Sequence, residues 1–495
     1  MMRLSISKQM IPGLRAVTLA LALLVLPLPV PVLAGDFEDG MQFILAKDYA
    51  KAVESFKKAA VQGNADAQFN LGVLYSRGRG VTQDYEQAAN WFRKAAEQGD
   101  VPAQSMLGFI YLKGQGVRQD YQQAMFWYLR AAEKGYAVAQ HNLGVMYAKG
   151  QGVAQDYQQA LSWYQKAAEQ GHAPAQAILG FMYLKGQGVE EDDKQAAFWY
   201  LKAAESGYAE AQYAVGVLYA KGRGVVPSDQ QAVSWYRKAA DQGNDDAQFN
   251  LGIMYAAGAG IEQDYQKAAS WYLKAAEQGN AKAQFKLGVA YAKGRGVEQN
   301  DYDAVTWYRK AAEQGYAPGE FNLGTMYAAG KGVMQDDHQA VSWYAKAAEQ
   351  EDPDAQYNLG VRYDTGRGVS KDEQKALFWY LKAAEQGYPR AQYSLGVKYD
   401  NGQGTPQDYG QALSWYRKAA ERGHRGAQTN LGVLYYRGNG VKKDYVEADK
   451  WFSIADAGGY EDAKENRELM EKLMTPVQVA EAQRLANEWT KEHQP

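Results

Sequence analysis

Residues 65–100 read ADAQFNLGVLYSRGRGVTQDYEQAANWFRKAAEQGD, and this stretch decides the fold. The same 36-residue pattern recurs without insertion or deletion up to Tyr460, which gives eleven copies. A period of about 20–50 residues predicts stacked supersecondary units that share one continuous core. Each site in a copy is numbered here by its equivalent in 65–100, so position 91 means Trp91 and the residues that lie whole periods after it.

Two residue types recur at fixed positions in every copy and define the register of the repeat. Position 91 is occupied by Trp91, Trp127, Trp163, Trp199, Trp235, Trp271, Trp307, Trp343, Trp379, Trp415 and Trp451. Position 72 is glycine in every copy, although a glycine inside a helix costs about 1 kcal/mol. We therefore expect a partner helix to approach this glycine so closely that a side chain would not fit.

The residue pattern of each copy predicts two helices, so we expect the chain to have an all-α fold. Ala67, Leu71 and Tyr75 form one apolar stripe on a first helix of residues 65–75. Gly78 favours a left-handed end for it, and a good N-cap residue at position 84 opens the second helix. Glycine at position 99 closes the second helix in ten copies, so we expect an altered turn at the exception, Glu351.

The second helix should bury Ala88, Trp91 or Phe92, and Ala95. Lys94 and Glu97 lie on its wetter side, at a spacing that allows an ion pair. Because two short helices cannot bury a tryptophan alone, we expect neighbouring pairs to cover it.

The flanking segments differ from the repeats. Residues 1–34 combine basic residues, an apolar run and a Val-Leu-Ala end, which predicts a signal peptide cleaved after Ala34, with an uncleaved anchor as the alternative. Residues 35–64 predict an N-terminal capping hairpin. Residues 65–460 are the eleven repeats, and 461–495 predict two charged capping helices. The predicted location is the periplasm or the exterior of a bacterium.

The charge and composition of the chain limit the classes of partner that we expect it to bind. Removal of residues 1–34 leaves 51 basic against 57 acidic residues, a net charge of −6, which gives no broad attraction for nucleic acid. The chain has no cysteine, and no other stretch is apolar enough to span a membrane. Repeat stacking therefore has to supply the stability that disulfides give many exported proteins.

The pattern A-x-A-x-x-x-L-G-x-x-Y-x-x-G-x-G-V-x-x-D-x-x-x-A-x-x-W-Y-x-K-A-A resembles the Sel1-like repeat, a relative of the tetratricopeptide repeat, over about four fifths of the chain. The resemblance implies a right-handed superhelical solenoid of antiparallel helix pairs. It also implies a scaffold or adaptor role in envelope, signalling or host-contact systems, without identifying a partner.

No arrangement of residues indicates catalysis, so we predict a protein that is not an enzyme. The five histidines do not form a metal-binding spacing, and there is no thiol nucleophile or ligand. His172 and His424 are predicted to lie on the surface in the turns between helices. The Gly-x-Gly loops follow helices rather than strands, which favours turns over phosphate sites. We predict no metal and no cofactor.

Binding is the better hypothesis. By resemblance to tetratricopeptide domains, first-helix positions 69, 70, 73, 76 and 77 should line a concave groove, where an asparagine at position 70 can hydrogen-bond a peptide backbone. The predicted groove combines amides, rings and cations. Its residues are Asn142, Phe249, Asn250, Phe285, Phe321, Asn322, Tyr357, Asn358, Tyr393, Asn430, Lys149, Lys185, Lys221 and Lys293. The alternative is that the amides and rings only make contacts between repeats.

The sequence thus predicts an exported scaffold that binds another protein or peptide, of unknown identity. One alternative is a secreted factor that binds a host protein, and another is a scaffold for envelope or exopolysaccharide assembly. A hydrolase, including a β-lactamase-like one, would need a nucleophile that the sequence does not offer.

Overall fold

The computed structural model describes residues 35–493, and these residues form 26 helices and no strand. The chain divides after Asp156 into two compact units. Each unit is a stack of helix pairs, and within each unit successive helices pack on one another as far as residue 473. The predicted all-α solenoid of paired helices is confirmed. The predicted signal peptide lies outside the described residues.

The first unit contains seven helices. They are α1 (Asp36–Leu45), α2 (Tyr49–Val61), α3 (Ala65–Arg77), α4 (Tyr85–Glu97), α5 (Val101–Lys113), α6 (Tyr121–Glu133) and α7 (Ala137–Lys149).

The second unit contains the remaining described helices. They are α8 (Tyr157–Glu169), α9 (Ala173–Lys185), α10 (Asp193–Glu205), α11 (Ala209–Lys221), α12 (Asp229–Asp241), α13 (Asp245–Ala257), α14 (Tyr265–Glu277), α15 (Ala281–Lys293), α16 (Asp301–Glu313), α17 (Ala317–Ala329), α18 (Asp337–Glu349), α19 (Pro353–Thr365), α20 (Glu373–Glu385), α21 (Pro389–Asn401), α22 (Tyr409–Glu421), α23 (Arg425–Arg437), α24 (Tyr445–Ala457), α25 (Glu461–Leu473) and α26 (Pro476–Glu492).

The helix ends follow the predicted capping chemistry. The first helix of a repeat runs to position 77, two residues further than the apolar stripe predicts, and Gly78 ends it in the left-handed conformation with φ of 63°. Position 84 caps the second helix, as where Asp84 accepts from the backbone N–H groups of Glu86 and Gln87 at 2.9 Å. Capping side chains satisfy donors that the first turn of a helix leaves unpaired.

The prediction of an altered turn at Glu351 is wrong. Glu351 adopts φ of 65°, the left-handed conformation that glycine takes at this position in other copies. Its N–H donates to the Ala348 carbonyl, in the same pattern as the Gly99 N–H to the Ala96 carbonyl. The helices packed on both sides of the turn hold its conformation. Glu351 therefore adopts the left-handed conformation, although this costs a residue with a side chain about 1–2 kcal/mol.

The close approach predicted at position 72 is confirmed. A Cβ atom placed on Gly72 would lie 2.7 Å from the Phe92 ring, and one on Gly288 would lie 2.6 Å from the Tyr308 ring. The aromatic side chain at position 92 is only 0–5% exposed in all eleven copies. This ring, rather than the tryptophan beside it, is the most buried large side chain of the repeat.

The tryptophans join successive repeats. Trp127 is 7% exposed and packs with Ala88 and Phe92 of the preceding repeat. On the solvent side a lysine covers the indole, and Lys94 Nζ lies 4.3 Å from the Trp91 ring centroid. The Lys94 ammonium group thus lies over the ring, where it gains a cation–π contact, rather than in the ion pair that its spacing from Glu97 allows.

A buried polar ladder, which the sequence reasoning missed, also joins the repeats. Position 68 is glutamine in ten copies and is 1–5% exposed. Its Nε2 donates to the alanine carbonyl eight residues earlier, on the preceding helix, as from Gln248 to Ala240 at 3.1 Å. Its Oε1 accepts from a glutamine at position 98, as from Gln278 Nε2 at 2.8 Å. Buried amides need such partners, so the ladder fixes the spacing of the helices.

Where position 98 is not glutamine, the ladder is incomplete. Gln104, Gln176 and Gln392 have buried Oε1 atoms without a hydrogen-bond partner. Their repeats carry Lys134, Ser206 and Arg422 at position 98. An unpaired buried acceptor costs about 1–3 kcal/mol, so these three glutamines lack a stabilising contact that the complete ladder supplies.

Glu320 is the one acid at position 68, and it tests the ladder. It is 3% exposed, burial raises the pKa of its carboxyl, and it lacks the Nε2 that would donate to the Ala312 carbonyl. We expect Glu320→Gln to raise the free energy of opening of α17 and α18 by about 1 kcal/mol at pH 7, because the missing hydrogen bond forms. Native-state hydrogen exchange measures this change.

The gain should shrink as the pH falls through the folded pKa of Glu320. A raised folded pKa means that ionisation destabilises the native state at neutral pH and that protonation relieves the cost. The matched control is Gln284→Glu, which should lower the stability of α15 and α16. An equal or lower stability of Glu320→Gln at pH 7 would contradict the role given to the ladder.

Candidate functional site

The surface that the first helices expose is called here the first-helix face, and it consists of positions 69, 70, 73, 76 and 77. Positions 67, 68, 71 and 72 of these helices are buried. In α3 these residues are Ala67, Gln68, Leu71 and Gly72. Phe69 and Asn70 are only half-buried. The helical periodicity therefore separates a core side from a side that reaches solvent.

The rings at position 69 have a structural role on this face. Each packs on the ring at position 92 of its own repeat, with centroids 5.6–6.0 Å apart. The predicted rings that do so are Phe249, Phe285, Phe321, Tyr357 and Tyr393. All five are half-buried, so part of each ring remains at the surface.

Three of these rings also contact the cap of the next repeat. Phe285 lies 5.7 Å from Tyr316, and Tyr357 lies 5.4 Å from Tyr388. Tyr393 stacks on His424 at 4.5 Å. The contacts between repeats that formed the alternative interpretation are thus present for these rings, and peptide binding by them stays a prediction.

The asparagines at position 70 are held with their carbonyl oxygens free. Nδ2 of Asn322 and of Asn358 donates at 2.8 Å to the backbone carbonyl four residues earlier. Asn250 and Asn430 donate to the hydroxyls of Tyr213 and Tyr416, at 3.4 Å and 3.0 Å. Across residues 35–493 no side chain or backbone group donates to the Oδ1 atoms of these four residues. Asn142 is half-buried at the same position.

The predicted cations lie apart from the amides. Lys149, Lys185, Lys221 and Lys293 are exposed, and each is the last residue of its first helix. Seven residues separate positions 70 and 77, which places them about 10 Å apart along the helix. The structure thus brings ring and amide together and places the cation two turns away, at the negative end of the helix dipole.

An ionic network in α19 and α21 was missed by the sequence reasoning. Position 74 is buried and apolar in other copies but is Arg362 and Lys398 here. Arg362 pairs with Asp337, and Lys398 Nζ lies 2.5 Å from Asp364 Oδ1. Charged residues at a position that is otherwise Leu, Ile, Met or Ala were the signal in the sequence that could have revealed the network.

Asp364 and Asp400, at position 76 of the first-helix face, each accept a hydrogen bond from a buried tyrosine at position 92. Tyr380 lies 3.4 Å from Asp364 Oδ2, and Tyr416 lies 3.2 Å from Asp400 Oδ2. Burial raises the pKa of both phenols and of the Asp400 carboxyl. The phenols therefore stay protonated at neutral pH and can donate to the carboxylates. Asp400, Tyr416 and Asn430 form one hydrogen-bonded chain on the face.

The face offers hydrogen bonding and ion pairing rather than bond-making chemistry. His172 and His424 lie in the turns between helices, as predicted, where they are half-buried and cap the next helix. The Nδ1 atom of His172 accepts from the Ala175 N–H at 3.3 Å, and burial lowers its pKa to about 4. Within residues 35–493 no three potential ligand side chains are placed to hold a metal ion.

The described helices also carry no membrane-spanning candidate. None of the helices between residues 35 and 493 has both the length and the apolar character that a bilayer crossing requires.

The Sel1 repeat model matches the chain twelve times, and the matched residues are 37–64, 65–100, 101–136, 137–172, 173–208, 209–244, 245–280, 281–316, 317–352, 353–388, 389–424 and 426–459. The chain belongs to the Sel1 repeat family. Solenoids of this family are typical of scaffolds for protein–protein interaction, and they are generally not enzymes. The first match shows that residues 37–64 share the pattern of the eleven full repeats.

Two solved structures of the family are similar to this chain. One is c5321 of Escherichia coli, described as a protective antigen present in uropathogenic strains. It is 42% identical, with a TM-score of 0.80, and the alignment covers 89% of this chain and 95% of that one. A Sel1 repeat protein from Oxalobacter formigenes is 34% identical, with a TM-score of 0.51, and the alignment covers 63% of this chain and 91% of that one. Comparison with curated proteins gives no match.

Lys398 and Asp364 provide a test of the ionic network. The lysine side chain is 5% exposed and the aspartate 27%, so loss of the aspartate leaves a buried ammonium group. We expect Asp364→Ala to destabilise α19–α22 by about 3 kcal/mol, whereas Lys398→Met should cost less than about 1 kcal/mol, because methionine occurs at position 74 in other repeats. Hydrogen exchange of these helices measures both changes.

The double variant Asp364→Ala/Lys398→Met is the matched control and should recover most of the loss. Equal costs for the two single variants, or a double variant no better than Asp364→Ala, would contradict the buried ion pair.

Proposed function

We propose that this protein is an exported scaffold that binds an extended segment of another protein along the first-helix face of its second unit. The observation that carries the proposal is the recurring free carbonyl oxygen of asparagine at position 70. An extended peptide has backbone N–H groups without partners of their own, and these need acceptors on a binding surface.

The asparagine side chains are pre-oriented for this task. The Nδ2 atoms of Asn322 and Asn358 each donate a hydrogen bond to a backbone carbonyl of their own helix. This bond fixes the plane of the amide and leaves Oδ1 free to accept. A side chain that is already held loses less entropy on binding. The half-buried ring next to each amide, Phe321 or Tyr357, offers apolar area beside the acceptor.

The charges on the face suggest which segment would fit. Lys185, Lys221 and Lys293 carry unpaired charges on one part of the second unit's face, while Asp364 and Asp400 place carboxylates on another. A partner segment with acidic residues near the lysines and a polar, hydrogen-bonding part near Asp400 would be complementary.

The export that the sequence predicts would limit the partner to proteins outside the cytoplasm. The basic and apolar residues 1–34 predict a signal peptide, and a 42% identical relative is described as a protective antigen of a pathogen. By this likeness we favour a partner outside the cytoplasm, either a host protein or another envelope protein.

A triple variant tests the binding face. Peptides selected from a displayed random library on the mature protein serve as probes, and their affinities are measured by calorimetry. We expect Asn250→Ala/Asn322→Ala/Asn358→Ala to weaken them at least about tenfold, since each lost hydrogen bond is worth about 1 kcal/mol. Ser234→Ala/Ser270→Ala/Ser342→Ala, on exposed second-helix sites, should leave affinity unchanged.

Equal affinity in the asparagine variant and the wild type would count against the proposed face. Failure to select any peptide would count against peptide binding itself.

The export proposal has its own measurement. The full-length chain, expressed in a Gram-negative host, should be recovered from the periplasm or the medium with Gly35 as its first residue, as N-terminal sequencing would detect. Recovery of the uncleaved chain in the cytoplasm would contradict export, whereas an uncleaved chain in the inner membrane would indicate the anchor that is the alternative for residues 1–34.

A further inference from the structure

The C-terminal end of the second unit is closed by two consecutive helices, α25 and α26, which are joined by Met474 and Thr475 and are called here the α25–α26 hairpin. Both helices pack on α24, the second helix of the last repeat. Met470, Ala482 and Ala486 are buried in the same cluster as Trp451. Trp489 meets the Trp451 indole edge-on at 5.7 Å.

This interface contains a carboxyl group at a position that is apolar in every other repeat. Position 89 is Ala, Met, Leu or Val in ten copies and Asp449 in the last. Asp449 is only 2% exposed, and its Oδ1 atom has no hydrogen-bond partner. One helical turn later, Ser453 is 5% exposed, and its hydroxyl also has no partner. Burial of a charged carboxyl without partners is costly.

The charges facing Asp449 do not neutralise it. On α25 they are Arg467, which favours the ionised form, and Glu471, which opposes it. Arg467 is already shared between Asp456 at 2.8 Å and Glu471 at 3.5 Å. One guanidinium thus faces three carboxyl groups.

The other two elements packed on α24 add no counter-charge. On α26 the carboxylates Glu481 and Glu488 both pair with Arg484 of the same helix. The helix α23 carries its charged residues, Arg425 and Arg437, only at its two ends. The interface is therefore better suited to a neutral Asp449 than to an ionised one.

We propose that Asp449 makes the docking of the α25–α26 hairpin depend on pH, so that the hairpin is held firmly while this carboxyl is protonated and opens more readily when it ionises. Opening would uncover the α24 surface around Trp451, which the hairpin otherwise buries. The end of the repeat stack would then be open to another helix pair under neutral conditions and closed under acidic ones.

The direction of the effect follows from the buried state. Burial raises the pKa of Asp449 to about 6, above its value in an exposed chain. A raised folded pKa means that the stabilising contribution is fully present below the unfolded pKa, near 4, and is lost as the pH rises through about 6. Docking should therefore weaken between pH 5 and pH 7.

Hydrogen exchange followed by mass spectrometry on the mature full chain tests the proposal. Protection factors, which correct for the intrinsic effect of pH, are compared for residues 461–492 and for residues 265–293. We expect protection of 461–492 to fall about tenfold from pH 5 to pH 7, while 265–293 stays unchanged. Asp449→Leu, which installs a residue type used at this position in other repeats, should abolish the fall.

Two further variants keep the test decisive. Asp449→Asn keeps the shape and removes the charge, so it should also be independent of pH even if leucine disturbs the packing. Glu447→Gln removes a carboxylate that pairs with Lys450 on α24 itself, and it should keep the wild-type fall. Wild-type protection that does not change with pH, or a fall that persists in Asp449→Asn, would overturn the proposal.

Discussion

Close contact between a glycine on one helix and an aromatic ring on the next is the constraint on which the rest of the structure depends. Added Cβ atoms at Gly72, Gly252 and Gly396 would lie within 2.7 Å of the facing rings. Two helices can approach this closely only where one of them lacks a side chain. The close approach buries the ring at position 92 almost completely.

The same ring links the core to the surface. One of its neighbours is the ring at position 69, which is half-exposed on the first-helix face, and several of its tyrosine hydroxyls reach that face. Tyr416, for example, contacts both Asp400 and Asn430. Residues on the face are therefore held by the core rather than by flexible side chains alone, which is a favourable arrangement for binding with little loss of entropy.

Much of this fold could be predicted from the sequence, because glycine, proline and cap residues act locally and the period repeats them eleven times. The buried glutamine ladder could not, since a glutamine within an apolar stripe gives no sign of the alanine carbonyl that it meets on the preceding helix. The turn at Glu351 was mispredicted because packing on both sides overrides the preference of one residue. For the face, position and residue type were predictable, but the partners of Asn250 and the ionic network around Lys398 depend on contacts between repeats.

The free energy of opening of α15 and α16 in Gly288→Ala tests the central claim most directly. Alanine stabilises an unhindered helix by about 1 kcal/mol relative to glycine, whereas forcing a Cβ against the Tyr308 ring should cost about 1–3 kcal/mol. Native-state hydrogen exchange should therefore show a net loss of stability in these two helices. A gain of about 1 kcal/mol, as expected for a glycine with free space around it, would contradict the account.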